Sequence, residues 1–99
     1  MQQSYTIQQM RTQLEPVFRK NGVRKATLFG SYGKGIATSR SDVDLMVDSG
    51  LRGLAFFGLL EDITQTLACE VDLIDASQIV PGSRIDEEIS STGIVIYEQ

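Results

Sequence analysis

The stretch from Asp42 to Asp48 constrains the fold most, because two kinds of residue alternate along it without a break. One side of the alternation is apolar throughout: Val43, Leu45 and Val47. The other side begins with two acidic residues: Asp42, Asp44 and Met46. Successive side chains of a β-strand point to opposite faces, so a strand here has one apolar face that must be buried. We therefore expect a sheet that packs against helices.

Two other stretches carry apolar residues at helical spacing, Thr6 to Asn21 and Phe56 to Leu67. Thr6 is suited to cap the first helix and Gly22 to end it. Pro16 lies opposite the apolar stripe, so we expect it to face solvent and to kink or divide the helix.

Short apolar runs predict three further strands: Ala26–Phe29, Glu70–Ile74 and Ile94–Tyr97. Ser83 can cap a short helix before the last of them. That last strand fits the edge or the centre of a sheet equally well. The resulting order favours the α/β class, with a small mixed β-sheet packed against helices.

Length and composition fit one soluble domain over residues 1–99. The 99 residues suffice for one hydrophobic core and are too few for two. No run approaches the roughly 20 apolar residues of a membrane span, and the first residues lack the features of a signal peptide. We expect a cytoplasmic protein. The net charge of −4 argues against nonspecific binding to nucleic acid, which needs many cationic side chains.

The chain contains no histidine. This excludes the commonest general base, the Ser-His-Asp and Cys-His catalytic systems, and zinc sites rich in histidine. Its single cysteine, Cys69, cannot form an intramolecular disulfide, and its apolar neighbours predict a packed thiol. Any catalysis must therefore use carboxylates, hydroxyls, lysine or arginine.

Asp42 and Asp44 are candidate metal ligands. Side chains two residues apart on a strand start about 6.5–7 Å apart, and two metal ions roughly 3.5–4 Å apart can bridge that span. Carboxylates without histidine favour Mg²⁺ or Mn²⁺ over zinc. Asp72, on a neighbouring strand about 4.8 Å away, is the candidate third ligand and general base. By itself, however, Asp-x-Asp at a strand end is more often a solvated turn.

Gly30 and Ser31, at the end of the preceding strand, strengthen the interpretation as a site. Glycine lets backbone N–H groups approach a phosphate, and serine adds a hydroxyl donor. Lys34 and Arg40 follow in the loop. Each either neutralises phosphate charge or is a solvated surface residue, and the sequence does not decide between these roles.

These residues resemble the signature of the polymerase-β-like nucleotidyltransferases: Gly30-Ser31, ten intervening residues, then Asp42-Val43-Asp44. The Ser41-Asp42 pair and the stretch from Val71 to Ile74 are similar to the minimal nucleotidyltransferase (MNT) branch. The resemblance extends over essentially the whole chain.

The resemblance implies a nucleotide site and a metal site. The residues implied to bind nucleotide are Gly30, Ser31, Lys34, Arg40 and Ser41. Those implied to bind metal and to act in catalysis are Asp42, Asp44 and Asp72, with two Mg²⁺ ions, or Mn²⁺, as cofactor and ATP as substrate. Asp72 fits the third carboxylate by its strand context, whereas Asp75 is better suited to cap the segment that begins at Ala76.

The implied reaction is in-line attack by an acceptor hydroxyl on the α-phosphorus of ATP, with pyrophosphate as the leaving group. We expect a chain of this length to borrow part of its acceptor site. The resemblance implies a HEPN-domain toxin as partner in a hetero-oligomer, which the chain would neutralise as antitoxin by adding AMP to a tyrosine. Two alternatives stay open: a small-molecule acceptor such as an aminoglycoside, and a binding-only antitoxin without transfer activity.

Leu54 and Phe57 project away from the core-facing stripe of the second helix. Either they tuck under a loop, which is the interpretation we favour, or they leave an apolar surface for a partner.

Overall fold

The computed structural model describes residues 5–30 and 43–99, and these form three α-helices and one four-stranded sheet. The helices are α1 (Ile7–Lys20), α2 (Leu54–Leu67) and α3 (Arg84–Thr92). The strands are β1 (Lys25–Phe29), β2 (Val43–Asp48), β3 (Val71–Asp75) and β4 (Ile94–Glu98), and a 3₁₀ turn spans Ala76–Gln78. The predicted order of elements is confirmed. Strand ends differ from the prediction by about one residue, which is the usual uncertainty of such boundaries.

Helix α1 begins with the predicted cap. The backbone N–H of Gln9 donates to Oγ1 of Thr6 at 3.0 Å, and the backbone N–H of Thr6 donates back to Oε1 of Gln9 at 2.9 Å. This reciprocal pair satisfies two donors that a helix start leaves without partners. Pro16 is exposed, as predicted, and the helix continues through it without division.

The sheet has the strand order β3-β2-β1-β4. β1 runs antiparallel to both β2 and β4, whereas β2 and β3 are parallel, so the predicted mixed sheet is confirmed. A parallel pair needs a crossover connection, and α2 provides it between β2 and β3. β4 lies at the edge of the sheet, whereas its sequence fits an edge strand and a central strand equally well.

The core lies between one face of the sheet and the helices α1 and α2. The alternation in β2 is confirmed, because its three apolar residues are fully buried while Asp44, Met46 and Asp48 are only partly buried on the other face. The main helical contributions to the core are Met10, Leu14, Phe18, Leu59, Ile63 and Leu67. Helix α3 packs against β1. The site residues of β2 therefore lie on the face away from α1 and α2.

Cys69 is partly buried against the core, so the predicted packed thiol is confirmed. The expectation that Leu54 and Phe57 tuck under a loop is wrong. Their exposed fractions are 89% and 55%, because both project from the side of α2 opposite its buried stripe and no described segment covers that side. Among the described residues, no helix combines the length and apolar character needed to cross a membrane.

Replacing Phe18 by alanine should destabilise the fold strongly. Phe18 is fully buried, and its ring centroid lies 5.3 Å from that of Tyr97. Removal of a buried phenylalanine side chain typically costs about 3–5 kcal/mol. Phe57→Ala, at the exposed position on α2, is the matched control and should change the free energy of unfolding by less than about 1 kcal/mol. Urea denaturation measures both values, and equal losses would contradict the described core.

Candidate functional site

Asp44 and Asp72 lie side by side on adjacent strands. β2 and β3 pair in parallel with Asp44 opposite Asp72, between the pairs Val43–Val71 and Leu45–Leu73. Residues that are directly paired in this way project to the same face, and the two strands lie about 4.8 Å apart. Asp44 is partly buried and Asp72 is exposed. The structure thus brings these two predicted site residues together on a face that solvent can reach.

Gly30 packs directly against the Asp44 carboxylate. Phe29, the last residue of β1, pairs with Asp44, and the chain then turns at Gly30 with a φ of +70°. A Cβ atom at Gly30 would collide with Oδ2 of Asp44 and lie 3.2 Å from its Cγ. The position therefore needs glycine for two reasons, its left-handed backbone and the absence of a side chain.

That steric role of Gly30 was missed at the level of sequence. The sequence assigned Gly30 to phosphate binding, which stays a prediction. The available signal was a glycine placed at the end of a buried strand, a position where one backbone often approaches another group closely. The structure identifies that group as the Asp44 side chain.

Five predicted site residues lie outside the described residues: Ser31, Lys34, Arg40, Ser41 and Asp42. Within residues 5–30 and 43–99, no group of three or more acidic, cysteine or histidine side chains is arranged to hold a metal ion. The pair Asp44 and Asp72 nevertheless offers hard carboxylate oxygen donors, which fit Mg²⁺ or Mn²⁺. Asp42 as a further ligand stays a prediction.

Asp75 has the capping role that the sequence indicated. It pairs with Val47, which faces the core, so Asp75 lies on the opposite face of β3 from Asp72. Its Oδ1 accepts hydrogen bonds from the backbone N–H and hydroxyl of Ser49, and its Oδ2 accepts from the same groups of Ser77. Burial raises the pKa of Asp75, but the hydrogen bonds from Ser77 and Ser49 outweigh it and leave that pKa below its ordinary value.

A family match and a similar protein both identify this chain with nucleotidyltransferases. Residues 12–99 match the sequence family described as "Polymerase beta, Nucleotidyltransferase". MJ0435 of Methanocaldococcus jannaschii, named as a candidate protein adenylyltransferase, is 30% identical over 78 residues, which are 76% of this chain and 83% of that protein.

Solved structures show the same fold. A chain in a crystal structure of a toxin–antitoxin with AMP-PNP superposes with a TM-score of 0.75 at 22% identity, covering 90% of this chain and 73% of that one. A chain in the structure of a tri-AMPylated Shewanella oneidensis HEPN toxin with an MNT antitoxin superposes with a TM-score of 0.71 at 21% identity, covering 94% and 73%.

Gly30→Ala should destabilise the chain more than Gly22→Ala, although both glycines have nearly the same backbone conformation. Their φ values are +70° and +72°, and a Cβ at Gly22 meets nothing within 4 Å. A left-handed alanine costs about 1–2 kcal/mol at either position, and displacement of the Asp44 carboxylate should add about 0.5–1.5 kcal/mol at Gly30 alone. Urea denaturation of the two variants measures the difference. Equal losses would show that the contact between Gly30 and Asp44 is not tight.

Proposed function

Because the chain belongs to the polymerase β nucleotidyltransferase family, we propose that it transfers AMP from ATP, with Mg²⁺, to a tyrosine hydroxyl of a HEPN-domain toxin. In this role it is the antitoxin of the pair. The observation that carries the proposal is the in-register placement of Asp44 beside Asp72 on an open face, with Gly30 against Asp44. Paired carboxylates beside a glycine turn suit a site that receives metal and triphosphate together.

Gly30 and the residues from Ser31 to Ser41 are the proposed nucleotide site. The N–H groups around Gly30 and the hydroxyl of Ser31 would donate hydrogen bonds to the triphosphate. Lys34 and Arg40 would offset its negative charge, and Ser41 would add a further hydroxyl. The crystal structure with AMP-PNP supports a nucleotide substrate, because a chain in it has the same fold.

Asp42, Asp44 and Asp72 would hold the metal. Mg²⁺, when bound, supplies charge neutralisation at the phosphates and lowers the pKa of the attacking hydroxyl. In the reaction, the acceptor oxygen bonds to the α-phosphorus and the bond from that phosphorus to the pyrophosphate oxygen breaks. Asp72, the more exposed member of the described pair, accepts the proton of the acceptor hydroxyl.

The acceptor is proposed to be a protein for two reasons. The structure of a tri-AMPylated HEPN toxin with an MNT antitoxin contains a chain of this fold. The relative MJ0435 is named as a candidate protein adenylyltransferase, an enzyme whose acceptor is a protein. Leu54 and Phe57 also leave apolar surface exposed on α2, as a partner-binding domain requires. We propose a single catalytic domain over residues 1–99 that meets its partner in the cytoplasm.

Incubation with α-labelled ATP, Mg²⁺ and a HEPN-domain protein encoded beside the chain tests the proposal. Label should appear on that protein and should disappear when its acceptor tyrosine is replaced by phenylalanine. Label on an aminoglycoside in a parallel incubation, with no label on the protein, would identify a small-molecule acceptor. A stoichiometric complex without label would identify a binding-only antitoxin, and either result would contradict the proposal.

Asp44→Asn and Asp72→Asn should each reduce transfer by at least about 10²-fold, because each removes a charged group from the reacting centre. Asp48→Asn is the matched control. It lies on the same face of β2 as Asp44, but its carboxylate forms an ion pair with Arg24 at 2.8 Å. Loss of this exposed pair costs at most about 1 kcal/mol of stability and should leave the rate unchanged.

Initial rates of AMP transfer to the partner, with unfolding curves for each variant, measure these effects. The double variant Asp42→Asn with Asp44→Asn should have no measurable transfer while it remains folded. Persistent transfer by that variant, or equal losses for Asp48→Asn and Asp44→Asn, would contradict the assignment.

A further inference from the structure

Two arginines, Arg52 and Arg84, are exposed and form no ion pair within the described part of the chain. The other described cations have partners. Arg11 donates to the carbonyl oxygen of Val95 at 2.9 Å. The remaining ones form ion pairs with acidic side chains: Arg19, Lys20, Arg24 and Lys25. On a chain with a net charge of −4, these two unpaired cations are available to an external anion.

Arg52 and Arg84 line two adjoining cavities. Arg52 lines a cavity of about 370 Å³ together with Leu51 and Phe56. Arg84 lines a cavity of about 290 Å³ whose other walls are mainly apolar, from Ile74, Ile79, Val80 and Ile85. Gln78, at the end of the 3₁₀ turn, lines both. We call the two cavities together the Gln78 surface.

Among the described residues, no acidic side chain forms an ion pair with Arg52 or Arg84. Among the described residues that line the two cavities, Asp75 is the one with a carboxylate, and its two oxygens already accept hydrogen bonds from Ser49 and Ser77. On α3, Glu87 and Glu88 follow Arg84 by three and four residues, the spacing of neighbours on a helix surface, while the carboxylate of Asp86 accepts the backbone N–H of Gly82 at 2.8 Å. Neither arginine forms an ion pair within the described residues, so each guanidinium group can bind a carboxylate of a ligand.

Exposed apolar side chains accompany these charges. Val80 is 66% exposed and Ile85 is 39% exposed, and both line the cavity around Arg84. Leu54, 89% exposed, directly follows Gly53 at the cavity around Arg52. Apolar anchors beside arginines are typical of surfaces that bind proteins, and complementary charge gives such surfaces their selectivity.

The cavity around Arg84 also begins next to the acidic pair, whereas the cavity around Arg52 is lined by Asp75 on the opposite face of β3. Ile74, in the wall of the cavity around Arg84, follows Asp72 by two residues and so lies on the same face of β3. Two residues along a strand span about 6.5–7 Å, roughly the length of a tyrosine side chain. A polypeptide seated on this surface can therefore present a hydroxyl to Asp72.

We propose that the Gln78 surface binds an acidic, apolar segment of the acceptor protein, adjacent to the residue that receives AMP. The inference rests on the proposed function, because it requires the acceptor to be a protein. In this proposal Asp44 and Asp72 act in the transfer reaction, whereas Arg52 and Arg84 select the acceptor protein.

The charge-reversal variant Arg52→Glu with Arg84→Glu tests the proposal. Arg19→Glu with Lys20→Glu is the matched control, because it changes the net charge equally but on α1. With the full-length HEPN-domain partner as probe, isothermal titration calorimetry gives Kd, and transfer kinetics give KM and kcat. The first variant should raise Kd and KM for the partner by about tenfold or more, and should leave the KM for ATP and the kcat at saturating partner unchanged. The control should match the wild type.

Val80→Asp tests the apolar part of the surface, with Val95→Asp on the edge strand β4 as its control. Val80→Asp should weaken partner binding by about tenfold, because it places a carboxylate in an apolar anchor site. Val95→Asp, which lies away from both cavities, should leave binding unchanged. Thermal unfolding of all four variants shows whether a loss of binding reflects a loss of fold.

Failure of the proposed function and failure of the inference give different experimental results. If the wild type neither binds nor labels the partner, the proposed function fails and the inference fails with it. If the wild type labels the partner while the Gln78-surface variants keep wild-type Kd and KM, only the inference is overturned. Sedimentation velocity covers a further outcome. Self-association of the wild type that Arg52→Glu with Arg84→Glu abolishes would assign the surface to a second copy of the chain and overturn the proposal.

Discussion

The candidate site depends on the register of the parallel pair β2 and β3. Asp72 lies beside Asp44 only when Val43 pairs with Val71 and Leu45 with Leu73. A slip by one residue would turn Asp72 toward the core and its apolar neighbours toward solvent. Val71 and Leu73 are partly buried against the core, so each would lose part of the roughly 1.5–3 kcal/mol that full burial contributes, and a carboxylate in the core would add a further penalty. The same alternation that buries the strands therefore positions the acids.

Elements far from the acidic pair maintain that register. Helix α2 connects β2 to β3 and is fixed on the sheet by its buried residues Leu59, Ile63 and Leu67. At the opposite end of the pair, Asp75 of β3 accepts two hydrogen bonds from Ser49, just after β2. The two strands are thus fastened at the end away from the candidate site. The carboxylates of Asp44, which is partly buried, and of Asp72, which is exposed, lie at the other end of the pair.

Much of this arrangement could be predicted from sequence, because it follows from local patterns. The alternation in β2, the cap at Thr6 and the capping role of Asp75 are decided by neighbouring residues, and strand spacing alone suggested that Asp72 approaches Asp44. The edge position of β4 was not predictable, since the same apolar run suits a central strand. The exposure of Leu54 and Phe57 depends on where distant segments pass, and no local pattern encodes that.

The same limit applies to the arginines. Sequence spacing gives no sign that Arg24 pairs with Asp48 while Arg52 and Arg84 have no acidic partner within the described residues, because ion pairs between separate elements depend on the tertiary arrangement. The packing of Gly30 against Asp44 likewise follows from how β1 and β2 meet. The candidate reacting groups could thus be predicted from residue types, whereas the surface proposed to select the acceptor could be identified only from the fold.

A crystal structure of the chain with Mn²⁺ and a non-hydrolysable ATP analogue would test the central claim most directly. Anomalous scattering locates Mn²⁺ independently of the atomic coordinates. We expect an anomalous peak within coordination distance of the Asp44 and Asp72 carboxylates, with the triphosphate against the turn at Gly30. A nucleotide bound with its metal elsewhere, in contact with neither aspartate, would contradict the assignment of this face as the site of nucleotidyl transfer.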